Sequence, residues 1–238
     1  MSCTTSNPRT FSADGRRRSL VVDLSLYLVT DRALCRGRSL AEVVAAAVAG
    51  GVSVVQLREK DLPTRAFIEE ARHLKTLLAP KGVPLIINDR VDVAWAAEAD
   101  GVHLGQSDMT VADARRLLGP RALIGLSIEK RSQVDEADAG EADYLAASPV
   151  FSTPTKTDTA PALGLEGVAF LRGKTPRPLV AIGGVNLANA AEVIGAGADG
   201  LAVVSAICSA ADPEAAARAL KAAVTDGLAL RDAGGRTR

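Results

Sequence analysis

Aromatic side chains are scarce: they make up 3% of this 238-residue chain, with one Trp, two Tyr and four Phe. A core built on stacked rings is excluded. It must be aliphatic, and a hydrophobic content of 47% is ample for that. Cysteine is as sparse. Cys3, Cys35 and Cys208 are odd in number and lack metal or redox spacing, which excludes a disulfide framework and reads as reduced thiols in the cytoplasm. Net charge is missing too, with 28 basic residues against 28 acidic ones. That removes the electrostatic footprint of a nucleic-acid or anionic-lipid binder and leaves small molecules as the expected partners. No apolar stretch approaches the ~20 residues of a membrane span. Arg16-Arg17-Arg18 precedes Leu20-Val21-Val22 as in a signal peptide, but Asp23 breaks that run far short of the ~7–15 apolar residues required. Whether copies pair as a homo-oligomer is left open by the sequence.

What is present is alternation. Residues 1–24 are polar and without period and read as a flexible N-terminal extension, and 227–238 read as a flexible tail. Between them, residues 25–226 read as one domain in which strand-like runs and helix-period segments alternate about every 25 residues, the spacing of βα units. Strands are predicted near 26–30, 53–57, 84–88, 100–104, 122–126, 143–147, 178–182 and 200–204. Leu40, Val43, Val44, Ala47 and Val48 form one helical face, and Ser39 with Glu42 is a capping-box start. The strings Ala49-Gly50-Gly51-Val52, Glu98-Ala99-Asp100-Gly101, Glu141-Ala142-Asp143-Tyr144 and Gly197-Ala198-Asp199-Gly200 echo one another before every even-numbered strand, as glycine at helix ends would explain. The pattern predicts an α/β fold, a single (β/α)8 TIM barrel; an open doubly wound sheet would need a nucleotide fingerprint that is not found.

In such a barrel the loops after the strands open on one face. Gln56, Arg58 and Lys60 alternate with Leu57 and Glu59, so two cations and an amide project to one side if the extended geometry continues, as suits phosphate oxygens. A solvated charge run is the other reading. Asn88-Asp89 and Asp108 put two carboxylates at neighbouring strand ends, fitting Mg²⁺, which takes one or two protein carboxylates and fills its shell with water and phosphate; each aspartate also reads as a helix cap. Gly183-Gly184 and Ser205, followed by a short Ala206-Ile207-Cys208 turn, follow the seventh and eighth strands where barrels build phosphate pockets, or form an ordinary turn. The hydroxyl-rich segment 149–159 is too long for a simple connection and reads as a lid or a surface loop. Ser127 ends the fifth strand, as a ligand contact or a structural hydroxyl. His103 is expected to pack, His73 to lie on the surface, and Trp95 to join the core.

Taken in order, Gln56-Leu57-Arg58-Glu59-Lys60, Asn88-Asp89, His103 to Asp108, Pro149 to Lys156, Ile182 to Val185 and Val204-Ser205 resemble the thiamine-phosphate synthase family over roughly residues 25–220. The resemblance implies a barrel enzyme that joins hydroxymethylpyrimidine diphosphate to hydroxyethylthiazole phosphate and releases diphosphate. It implies pyrimidine diphosphate contacts at Gln56, Leu57, Arg58, Glu59, Lys60, Asn88, Ser127 and Lys156, and Mg²⁺ at Asp89 and Asp108. It further implies thiazole phosphate contacts at Thr153, Thr155, Gly184, Val204 and Ser205. The chain departs from the family pattern at Ala146-Ala147-Ser148, where glycine is common, at Glu129, near a frequent histidine, and at Ser107, often an acid. No nucleophile is paired with a base, so catalysis is expected to be electrostatic, with Arg58, Lys60 and Lys156 stabilising the leaving diphosphate. A thiazole tautomerase of the same barrel family is the alternative enzyme, and a non-enzymatic sensor of phosphorylated ligands the alternative class.

Overall fold

The computed structural model describes residues 22–139, 142–152 and 161–235. Its eight strands are β1 (Leu26–Val29), β2 (Val54–Leu57), β3 (Leu85–Asn88), β4 (Gly101–Leu104), β5 (Leu123–Ile128), β6 (Tyr144–Ala147), β7 (Leu179–Ile182) and β8 (Gly200–Val203). All pair in parallel with their sequence neighbours, and β1 pairs with β8, closing the barrel. Helices α1 (Leu40–Ala49), α2 (Thr64–Leu78), α3 (Val91–Ala96), α4 (Val111–Leu118), α5 (Gln133–Ala139), α6 (Gly164–Lys174) and α7 (Ala190–Gly195) fill the crossovers, and α8 (Ser205–Cys208) and α9 (Pro213–Gly235) follow β8. Among the described residues, no helix is long and apolar enough to cross a membrane.

The strands are short and buried on both faces, which is why they read as continuous apolar runs. One face of each enters a layer between sheet and helices, holding Leu28, Val55, Leu57, Ile87, Leu145 and Ala181. The other fills the barrel interior with Tyr27, Val29, Val54, Ile86, Tyr144, Val180 and Ala202. The capping box at Ser39 and Glu42 is formed, with mutual bonds of 3.2 and 2.7 Å.

The glycine ends expected are found at Gly50, which caps α1, and at Gly197, with φ of 114° after α7, and the echo before even-numbered strands has a second, polar cause. Asp100, Asp143 and Asp199 each accept a backbone N–H at the start of the preceding strand, from Leu85, Ile124 and Leu179, at 2.8–2.9 Å. Each also binds a cation from the helix that leads into that strand: Lys75 on α2 at 2.8 Å, Arg115 on α4 at 2.6 Å and Arg172 on α6 at 2.7 Å. Before β2 the same place is held by Ser53, whose hydroxyl accepts from Leu26 N–H at 3.2 Å and donates to its carbonyl at 2.9 Å. One polar clip thus fastens each pair of βα units at the barrel's closed end.

Two expectations are corrected. Trp95 is 69% exposed rather than core. The buried face of α3 runs through Val93, Ala94 and Ala97, and Trp95 lies about 100° past Ala94. The chain after residue 227 is not a tail as far as Gly235: α9 continues, because Leu228 packs on the core and Arg231 binds Asp199 at 2.9 Å and the Ala198 carbonyl at 2.8 Å. Arg38 donates to the carbonyls of Cys208 and Ala210 at 3.0 and 2.8 Å, fixing the end of α8 beside the barrel mouth.

Candidate active site

The C-terminal ends of the strands surround a cavity of about 840 Å³. Gln56, Arg58, Lys60, Asn88, Asp89, Asp108, Ser127, Gly184, Val204 and Ser205 all line it. Leu57 and Glu59 do not. Leu57 is buried in the layer beneath the helices, and Glu59 faces outward to Arg32, at 2.7 Å from its guanidinium. Strand alternation carries past the end of β2, so these two project opposite to Gln56, Arg58 and Lys60, and only their backbone is left near the mouth. Thr153, Thr155 and Lys156 lie outside the described residues.

Arg58 is tethered at both ends. Its N–H donates to Thr30 Oγ1 at 3.1 Å, and its guanidinium stands 4.0 Å from Asp31. Lys60 donates to Asp89 Oδ2 at 3.3 Å. Asp89 sits at φ 61, a left-handed conformation uncommon outside glycine, and its N–H is held by the His103 carbonyl at 2.9 Å. Neither aspartate is a helix cap. The cap positions belong to Arg90 before α3 and to Thr110 before α4, whose hydroxyl accepts from Asp113 N–H.

Asp108 accepts the Gly105 N–H at 2.7 Å. Its carboxyl is pushed above the usual aspartate range by burial first, and then by the neighbouring Asp89 carboxyl. Two carboxylates held together at this cost form a hard-oxygen pair suited to a divalent cation. Among the described residues no group of three or more His, Cys, Asp or Glu gathers anywhere, so an all-protein cage is not offered; a pair completed by water and phosphate is.

On the opposite rim, Gly183 and Gly184 have φ of 97° and 65°. A Cβ on Gly184 would meet Phe151 Cβ at 2.8 Å, and one on Gly183 would meet Pro149 Cβ at 2.5 Å. Only glycine fits this turn. The Gly184 carbonyl is drawn outward by the Asn186 and Asn189 amides at 3.2 and 3.0 Å. Beside it, Val204 and Ser205 start α8, making the concave backbone surface that suits a phosphate.

The floor holds what the sequence did not announce. Gln56 Nε2 donates to Tyr27 Oη at 2.9 Å, and Tyr27 Oη lies 2.9 Å from Tyr144 Oη. Tyr144 Oη lies 3.0 Å from His103 Nδ1, and His103 Nε2 lies 3.0 Å from Ser127 Oγ. Burial pushes the His103 pKa down to about 4, so the ring is neutral at pH 7, and it raises both tyrosines. His103 packs, as expected, but as a polar link. The available signal was that both tyrosines of the chain sit on strands. Thr30, Asp31 and Gln106 also went unmarked; Gln106 Nε2 donates to the Ser127 carbonyl at 2.6 Å. Within the departing segment Ala146-Ala147-Ser148, Ala146 and Ser148 face the cavity while Ala147 is in the outer layer. Glu129 and Ser107 line the cavity as well.

Residues 26–207 match the family model described as thiamine monophosphate synthase. The chain belongs to the thiamine monophosphate synthase family. It is 60% identical over 198 residues to the thiamine-phosphate synthase of Albidiferax ferrireducens, covering 83% of this chain and 90% of that one. It is 58% identical over 202 residues to that of Xanthobacter autotrophicus, covering 85% and 96%. Thiamine phosphate pyrophosphorylase from Pyrococcus furiosus superposes with a TM-score of 0.80 at 39% identity, covering 87% of this chain and 98% of that one.

Proposed function

We propose that this member of the thiamine monophosphate synthase family joins 4-amino-2-methyl-5-hydroxymethylpyrimidine diphosphate to hydroxyethylthiazole phosphate, giving thiamine phosphate and diphosphate. The enzyme is a transferase. What supports the site assignment is that Arg58, Lys60, Asn88, Asp89 and Asp108 share one mouth with the Gly184 and Ser205 cradle, so a diphosphate and a second phosphate can lie side by side.

The reaction breaks the bond between the pyrimidine's methylene carbon and the diphosphate oxygen, and forms one from that carbon to the thiazole nitrogen. Arg58, aimed by Thr30 and Asp31, and Lys60 neutralise charge as it develops on the leaving diphosphate; Lys156 is assigned the same task. Asn88 orients the diphosphate. Mg²⁺ bound at Asp89 and Asp108 would supply a further positive charge for the leaving group. The glycine turn and Ser205, with Thr153, Thr155 and Val204, hold the thiazole phosphate so that its ring nitrogen faces the departing side. Positioning and electrostatics suffice, and no covalent enzyme intermediate is formed. The reading places the enzyme in the cytoplasm, with a catalytic domain that runs from residue 25 through the end of α9.

Mixing purified protein with both substrates and Mg²⁺ yields thiamine phosphate and diphosphate in equal amounts. Replacing Asp108 by Asn lowers kcat by about a hundredfold or more without lowering Tm, because it removes a buried like-charge contact while an amide oxygen can still meet Gly105. Near-normal turnover in that variant would refute the metal assignment.

A further inference from the structure

The polar chain on the barrel floor has a direction. Tyr27 Oη already accepts an N–H from Gln56, so its own proton goes to Tyr144 Oη, which lies 2.9 Å away. Tyr144 then gives its proton to His103 Nδ1 at 3.0 Å. A neutral His103 with Nδ1 accepting carries its hydrogen on Nε2 and donates to Ser127 Oγ at 3.0 Å. Ser127 accepts that bond with one lone pair, which leaves its own O–H free to donate into the cavity. Gln56 is the other terminus. It is 4% exposed and lines the cavity, and its amide oxygen has no partner among the described residues. The two ends sit on β2 and β5, across the barrel from each other.

We propose that Tyr27, Tyr144 and His103 are positioning residues that lock opposite polarities onto the two pocket walls, an acceptor at Gln56 Oε1 and a donor at Ser127 Oγ, and so select a 4-aminopyrimidine over its 4-oxo counterpart. A 4-aminopyrimidine presents an amino donor on one side of the ring and the acceptor nitrogen N1 on the opposite side. That is the complement of these walls. The usual 4-oxo form turns a carbonyl toward Gln56 Oε1, setting acceptor against acceptor. Rotating the Gln56 amide to meet it would give Tyr27 an acceptor in place of a donor. Every proton along the chain would then have to reverse, and Ser127 would turn its lone pair on N1. The hydroxyls and imidazole therefore couple two walls that never touch. Buried sites built to hydrogen-bond one partner discriminate strongly, because a mismatch leaves their polar groups unpaired.

The proposal rests on the pyrimidine-binding reading, and its test separates the two. The chain has two histidines, so ¹⁵N NMR of histidine-labelled protein resolves His103 from His73 without substrate. His103 is expected as the Nε2–H tautomer at neutral pH; the Nδ1–H tautomer would overturn the direction. With substrates, the wild-type enzyme is expected to favour the 4-amino over the 4-oxo pyrimidine diphosphate by at least about a hundredfold in kcat/KM, and equal use of both would overturn the selectivity. In Tyr144→Phe the ratio drops at least about tenfold, while inhibition by inorganic diphosphate with Mg²⁺ is unchanged; an unchanged ratio removes the relay from specificity. Should Tyr144→Phe not fold, the wild-type ratio and the tautomer still decide. A wild type inactive on both diphosphates, yet with the expected tautomer, would count against the proposed reaction and not against the direction of the chain.

Discussion

At the residue scale, His103 is the buried group whose protonation changes in mild acid. Burial holds its pKa near 4 against an ordinary 6.5. Between those values the unfolded chain binds the proton and the native one does not, so stability rises with pH across that window. The contribution is complete above pH 6.5 and is lost as pH falls toward 4, amounting to about 3 kcal/mol. Asp108 works in the opposite sense in acid, since its raised pKa makes the native state the better proton acceptor. The comparison must therefore be differential: denaturant titrations of wild type and His103→Gln from pH 7 to 4 show the wild type losing stability more steeply. Parallel slopes would mean that His103 is charged in the native state. The sequence placed His103 in the fourth strand and expected it to pack, but it could not name Tyr144 as its partner, because strands buried on both faces carry no polar alternation to reveal which side is the barrel interior. Arg58 and Lys60, by contrast, were legible because alternation from Gln56 continues past the strand end; the same rule turns Leu57 and Glu59 away.

At the element scale, the repeated aspartates explain how short strands keep their register. Each of these strands, four to six residues long, has few ladder bonds of its own, and the clip adds a charge-assisted bond to an N–H at its start. Arg115 is 7% exposed and its guanidinium depends on Asp143 at 2.6 Å. Asp143→Ala removes a carboxylate 2.6 Å from a buried cation and leaves Ile124 N–H without its acceptor, and is expected to cost about 3 kcal/mol. Urea unfolding measures it; a loss under about 1 kcal/mol would mean that water replaces the carboxylate. The echo was legible in the sequence, and so was its glycine part at Gly50 and Gly197, but the role of its aspartates was not. Glycine at a helix end is a local rule, whereas an aspartate reaching back to the previous strand is a contact between elements. Trp95 went astray for a related reason: α3 has six residues, too few for periodicity to say which of two adjacent faces is buried.

At the scale of the whole molecule, closure of the barrel brings together residues with no local reason to meet. The apolar runs and the helix periods predict eight strands, and closed eightfold order then places Arg58, Asp89, Asp108 and Gly184 on one rim without further information. Fold and candidate site were legible together because both follow from where strands end. What closure also creates is a pair of carboxylates facing each other and an arginine and lysine facing the same space, four charges that sum to zero and stay near balance when an anion and a cation arrive together but not when either arrives alone. Inorganic diphosphate and Mg²⁺ are therefore expected to stabilise the fold jointly. At a hundredfold excess over the dissociation constant the gain is about 2.7 kcal/mol, read as a rise in Tm, while either alone gives much less. Diphosphate alone meets the Asp89 and Asp108 charges; Mg²⁺ alone meets Arg58 and Lys60. In Asp108→Asn the joint rise collapses toward that of diphosphate alone. If diphosphate raised Tm equally with and without Mg²⁺ in the wild type, the two aspartates would be holding the strand ends apart from the anion rather than linking them to it through a metal.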